Sequence, residues 1–163
     1  MSSLAPQAPL VLVANAGDGS IATFRLAGGA LERLALTPGL PGCSAFVVDA
    51  ARDLVYAGVK GASEGEPAAV VTLGLDRATG GLTPRSRLEV AGGSLNYLAL
   101  TPDGTGLLAA SYGGGYGITC PILDGVVGEP VSRIEFANLH AVLPSSDGAH
   151  AYFVSLGDDL IAQ

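Results

Sequence analysis

Ser44, Asn96 and His140 occupy matching places in three similar stretches of this sequence. Each stands two residues ahead of the first large apolar residue of a segment in which one apolar run, a turn and a second apolar run follow one another. The segments are FVVDAARDLVYAGV from Phe46, LALTPDGTGLLAAS from Leu98 and VLPSSDGAHAYFVS from Val142. His140 carries the sharpest chemistry, because an imidazole accepts a proton from water near neutral pH and can return it to a leaving alkoxide. Ser44 and Asn96 offer hydrogen bonds to a polar ligand. The competing readings are local: Ser44 and Asn96 tie down the preceding loop, and His140 is a satisfied structural histidine.

Other chemical signals weaken when their surroundings are read. Ala109-Ala110-Ser111-Tyr112-Gly113 resembles a nucleophile elbow, but that elbow needs a helix directly after its strand, and Gly114-Gly115 and another strand follow instead. Ser111 is therefore not expected to be a nucleophile. The glycines at 113, 114, 115 and 117 fit neither dinucleotide-binding nor P-loop spacing and read as a hairpin turn, from which Tyr112 can reach a channel rim. Asp103 and Asp147 fall in turns, where aspartate stabilises its own backbone, and do not form a carboxylate pair. His150, beyond the Asp147-Gly148 turn, reads as surface, as do Arg25, Arg33, Arg77, Arg85, Arg87 and Arg133. Cys43 and Cys120 have no CxxC spacing and only two histidines are present, so two reduced, packed thiols, no metal and no cofactor are expected.

Charge and hydropathy narrow the partners. Eight Lys and Arg against fifteen Asp and Glu give a net charge of -7, which lacks the basic footprint of a nucleic-acid binder. Mean hydropathy is positive at +0.45, yet Gly, Pro or a charge interrupts every apolar run before the ~20 residues of a spanning helix, so no membrane partner is expected. The opening MSSLAPQAPLVLVANAG has no basic n-region and only a short apolar run from Leu10 to Ala14, which leads to a cytoplasmic expectation.

The elements that must hold these residues follow from repetition. The three segments start 52 and 44 residues apart, a period that signals a propeller or an array. Each is followed by a further hairpin signal, first Ala68 to Asp76 with Gly80-Gly81, then GITCPILDG with VVGEPVSRIEF. The same half-unit opens the chain, where Asp18-Gly19 and Gly28-Gly29 read as two-residue hairpin turns. Alternation from Ile21 to Leu26 favours half-buried antiparallel strands, and no segment keeps a 3.6-residue period, so almost no helix is expected. The 24 glycines and 10 prolines in 163 residues, with only 14% charged, fit many tight turns between buried strands.

The unit is a four-stranded antiparallel meander, and about fourteen strands make about three and a half blades of an all-β β-propeller. The repeats are approximated by residues 10–60, 69–111 and 116–155, with a further strand starting at 159–163, all within one partial domain spanning 1–163. A ring needs roughly four to eight blades to close. The expectation is the amino-terminal half of a longer propeller, the alternative being a homodimer whose two copies close the ring. Innermost strands line a propeller's channel, so Ser44, Asn96 and His140 should face one another there.

At this level of detail LALTPDGTGLLAASYGGGYGITCPILDG and LHAVLPSSDGAHAYFVSLGDDLI resemble the lactonase family of seven-bladed propellers. That family includes the propeller-type 6-phosphogluconolactonases and the fungal 3-carboxymuconate cyclases. The resemblance runs from VLVANAGDGSIATFRL over nearly the whole chain. PDG recurs in many propellers, whereas SYGGG followed two strands later by LHAV is more specific. Gly42 to Asp49 and Tyr56 to Lys60 look closest to the bacterial 6-phosphogluconolactonases. Two departures are Ala50-Ala51-Arg52 in place of the usual Pro-Asp-Gly turn, and Ser146 where Pro is typical.

The resemblance implies half of a seven-bladed ring and a lactone hydrolase. His140, which matches the family's HAHS-like segment, is then the catalytic residue. A phosphorylated lactone also needs cations for its phosphate and its developing oxyanion, and the family's basic residue at the end of this strand is matched by Lys60. The competing reading for Lys60 is a solvated lysine beside Glu64 and Glu66. Ser44, Asn96 and Tyr112 complete the expected substrate contacts. The implied reaction opens 6-phosphogluconolactone to 6-phosphogluconate, a step of the pentose phosphate pathway. The alternatives are a cycloisomerase of carboxymuconate-type lactones and a non-catalytic propeller fragment for binding or self-assembly.

Overall fold

Turn chemistry divides the chain into four antiparallel sheets in the computed structural model, which describes residues 8–61, 66–90 and 92–163. The first sheet is β1 (Leu10–Asn15), β2 (Ser20–Ala27) and β3 (Ala30–Thr37). The second is β4 (Ala45–Asp49), β5 (Leu54–Val59), β6 (Ala68–Leu75) and β7 (Leu82–Val90). In the third, β8 (Tyr97–Leu100), β9 (Gly106–Ser111) and β10 (Tyr116–Leu123) pair in order, and both β11 (Val126–Val127) and β12 (Ser132–Glu135) pair with β10. The fourth is β13 (Leu139–Pro144), β14 (Ala151–Ser155) and β15 (Leu160–Ala162). No helix occurs among the described residues. The architecture is a partial β-propeller of antiparallel blades.

The sheets fall at 10–37, 45–90, 97–135 and 139–162, so the sequence frames 10–60, 69–111 and 116–155 cut across them. The reason is visible where the first sheet is matched to the third and fourth strands of the second. β2 and β6 both shift register against the next strand beside a threonine, at Thr23/Phe24 and Thr72/Leu73, and both threonines are buried. That makes β2 the counterpart of β6, β3 of β7, and therefore β1 of β5. Among the described residues the first sheet has no equivalent of the innermost strands β4, β8 and β13. In the third sheet the outer strand is split, because Pro130 has no N–H to give to the ladder. Gly128 and Val131 rejoin β10 on either side of it through Pro121 and Thr119 carbonyls.

Gly28 and Gly29, both at positive φ, form the two-residue turn expected between β2 and β3. Asp18-Gly19 does not form a two-residue turn. Asn15 pairs with Ser20, so the connection is the four residues 16–19, closed by the Asp18 N–H on the Asn15 carbonyl. Asp103 accepts from the Thr105 N–H, and Asp147 from the Ala149 N–H, which fixes the two turns as expected for aspartates in such places.

Successive side chains of a strand point to opposite faces, and the central strands bury both. Leu54 and Tyr56 of β5 enter a cluster shared with Leu98, Leu107, Tyr116 and Ile118 of the third sheet. Val55, Ala57 and Val59 enter another with Ile21, Leu40 and Cys43. β9 repeats the pattern, with Leu107 and Ala109 on one side and Leu108 and Ala110 against Leu139, Val142 and Phe153 on the other. This sharing explains why so little of the chain is charged. The fourth sheet leaves one apolar face uncovered, a hollow of about 370 Å³ lined by Ala141, Val142, Leu143, Pro144, Tyr152, Val154 and Ile161.

Candidate channel-rim site

Antiparallel register brings the five candidate residues to one end of the sheets. Ala45 pairs with Gly58, so Ser44 and Lys60 lie at the same end of the second sheet. Tyr97 pairs with Ala110, so Asn96 lies beside Ser111 and Tyr112, and the Asn96 N–H donates to the Ala110 carbonyl at 3.0 Å. Leu139 pairs with Ser155, which sets His140 at the corresponding end of the fourth sheet. The innermost strand β8 packs between β4 and β13. Turn aspartates 103 and 147 occupy the opposite ends of their strands.

Ser44 and Asn96 line one pocket of about 340 Å³, with Ala45, Phe46, Tyr97 and Leu98 completing its wall. His140 joins this rim through Asn96, whose Nδ2 donates to the His140 carbonyl at 2.7 Å. The Asn96 Oδ1 accepts from the Tyr112 N–H. The Tyr112 ring stands edge-on to the His140 ring, with centroids 5.7 Å apart and planes at 86°. Both ends of the Asn96 amide are thus engaged by protein groups, whereas Ser44, Tyr112 and His140 are exposed at the rim.

His140 owes its orientation to a β-bulge. The register of β13 against β14 shifts between Leu139 and Ala141, so His140 is the residue left without a ladder partner. A bulge bends its strand and re-aims a side chain. Among the described residues no side chain hydrogen-bonds the imidazole, which leaves both ring nitrogens for a ligand or water. The loop ahead of β13 is held from beneath. Ser155 Oγ donates to the Ala137 carbonyl at 2.6 Å and accepts from the Asp158 N–H at 3.0 Å, and Asp158 Oδ2 accepts from the Ala137 N–H at 2.6 Å.

Ser111 does the same one blade earlier. Its buried hydroxyl donates to the Ser94 carbonyl at 3.0 Å and accepts from the Gly114 N–H at 3.1 Å. A hydroxyl so committed ties the loop ahead of β8 and is not poised as a nucleophile. These serines were missed as positioning groups, although the repeat contains the signal: Ser111 and Ser155 both end the second strand of a blade, just before a tight turn.

Lys60 lies outside the pocket lining. Its N–H donates to the Pro41 carbonyl at 2.9 Å, and its aliphatic stem lies over Gly42, where an added Cβ would come within 2.6 Å of the lysine Cδ. The ammonium is exposed at the same end as Ser44. Glu64 lies outside the described residues. His150 is exposed and meets Gln163, with Tyr152 tilted beside it. Cys43 and Cys120 are free and buried, and burial pushes both thiols up to about 11. Among the described residues no three His, Cys, Asp or Glu side chains group as a metal site, and no helix is long and apolar enough to cross a membrane.

Comparison with known proteins places this geometry. The family model described as "Lactonase, 7-bladed beta-propeller" matches residues 10–163. No curated protein matches the chain. Among solved structures, a candidate 6-phosphogluconolactonase from Bacteroides uniformis superimposes with a TM-score of 0.80 at 24% identity, covering 93% of this chain and 48% of its own. A second, from Bacteroides fragilis, gives 0.81 at 23% identity, covering 96% and 48%. The periplasmic gluconolactonase of Pseudomonas aeruginosa gives 0.66 at 20% identity, covering 85% and 38%. The chain spans half or less of the length of each of these structures, and the likeness to them is one of fold.

Proposed function

Because the chain belongs to the lactonase family of seven-bladed β-propellers, we propose that its channel rim takes part in hydrolysis of a sugar lactone, with 6-phosphogluconolactone as the substrate and 6-phosphogluconate as the product. The observation that carries this reading is His140 on its bulge, with a free imidazole beside the rim pocket.

The chemistry is general-base addition of water. The imidazole takes a proton from water as the water oxygen bonds to the lactone carbonyl carbon, and the carbonyl electron pair moves onto its oxygen. When that oxyanion collapses, the ring C–O bond breaks and the imidazolium returns its proton to the departing alkoxide. Lys60, at the same rim and with an exposed ammonium, answers the phosphate charge. Ser44 and Tyr112 meet the sugar hydroxyls. Solved members are about twice as long, so on this reading the facing wall of the channel comes from the remainder of the ring. Two free, buried thiols go with a cytoplasmic setting in the pentose phosphate pathway.

The test is turnover of 6-phosphogluconolactone and of unphosphorylated gluconolactone above their spontaneous hydrolysis, for the wild type and Lys60→Ala. The reading expects preference for the phosphorylated lactone, reduced in Lys60→Ala. Neither lactone being hydrolysed above the buffer rate would overturn it. A second reading, ring closure by two copies of the chain, is favoured by the uncovered apolar face of the fourth sheet. Light scattering separates a monomer from such a pair.

A further inference from the structure

We infer that Asn96 is the positioning residue of this rim: its side-chain amide holds the His140 bulge and the Tyr112 backbone in one geometry, and it does not serve as a substrate contact. The inference rests on the catalytic reading of His140 given above. His140 lies outside the β13 to β14 ladder, so its carbonyl needs a partner from elsewhere, and an unpaired backbone carbonyl is costly. The Asn96 Nδ2 supplies that partner at 2.7 Å.

The other end of the same amide is equally specified. Tyr112 N–H can only donate and the His140 carbonyl can only accept, so the amide has one orientation that satisfies both. Asn96 itself is anchored by its own N–H on the Ala110 carbonyl. One planar group therefore joins the start of β8, the bulge on β13 and the turn that follows β9. The edge-on contact of the Tyr112 and His140 rings is built on two backbones that this amide holds. No other side chain among the described residues bridges the two.

The test uses the purified chain, Asn96→Ala, and Asn96→Asp as a variant of the same shape that keeps an acceptor but not the donor. The readouts are the nuclear Overhauser contact between the Tyr112 and His140 rings and the kinetics of lactone hydrolysis. The clamp predicts loss of the cross-ring contact in both variants at pH 7. In Asn96→Asp the contact returns as the carboxyl is protonated toward about pH 4, because a neutral carboxyl again offers one donor and one acceptor. It also predicts a fall in kcat of roughly 10- to 100-fold with KM little changed, the pattern of misplaced chemistry. An unchanged cross-ring contact overturns the inference, and so does a fall in rate that appears mainly in KM. If the wild type hydrolyses no lactone, the catalytic reading fails, and the ring contact alone decides the clamp.

Discussion

Replacing Ser155 by Ala removes one buried oxygen that serves two backbone groups: the Asp158 N–H, at 3.0 Å, loses its acceptor, and the Ala137 carbonyl loses its donor at 2.6 Å but keeps the Gly157 N–H at 3.2 Å. The hydroxyl is almost wholly inaccessible, at 2% exposure, so water does not readily take its place. Each buried group left without a partner costs about 1–3 kcal/mol. The loop also keeps the bond from the Ala137 N–H to Asp158 Oδ2, which favours the lower part of that range. The expected loss is about 1–3 kcal/mol. For a chain of this size each kcal/mol moves the thermal midpoint by roughly 2–4 °C, so a fall of about 2–12 °C is expected. Urea unfolding followed by circular dichroism at pH 7 measures it directly. Ser111→Ala should cost a similar amount, since Ser111 makes the equivalent pair of bonds. A loss below about 0.5 kcal/mol in either variant, the level of an ordinary surface substitution, would refute the idea that these serines hold the rim loops.

The buried thiols give a pH dependence with a definite sign. Cys43 and Cys120 are pushed up to about 11 from 9.0 by burial, so the unfolded chain releases these protons first. Their contribution to stability is complete below about pH 9 and is lost as pH rises toward 11. Urea midpoints at pH 8 and pH 10 check this, and a thiol reagent at pH 8 should label the unfolded chain far faster than the native one. Gly42→Ala should destabilise by about 1–2 kcal/mol, because Gly42 has φ near 61° and the new methyl would meet the Lys60 stem. In the lactone assay the same variant should raise KM for the phosphorylated substrate by displacing Lys60.

Features that depend on a single hairpin were legible in the sequence. Gly28-Gly29 demanded positive φ at both residues, and the unbroken apolar run of β5 announced a strand buried on two faces. The convergence of Ser44 and Asn96 on one pocket was also readable, because a repeat fixes which positions become neighbours around a ring. What could not be read depends on register between strands. Asp18-Gly19 has the composition of a two-residue turn, yet pairing of Asn15 with Ser20 makes it part of four. The bulge at His140 arises where β13 meets β14 and leaves no local mark in Leu139-His140-Ala141. Asn96 looked like a ligand contact from its position, and its two tertiary bonds appear only once the third and fourth sheets are adjacent.

The central claim is that His140 serves as the base for lactone opening, and the pH dependence of kcat/KM for 6-phosphogluconolactone, measured for the wild type and His140→Gln, tests it most directly. The account predicts a wild-type rate that rises with pH, and a variant slower by roughly 10²- to 10⁴-fold with that rise abolished. A His140→Gln variant that keeps the wild-type rate and the same pH profile would contradict it.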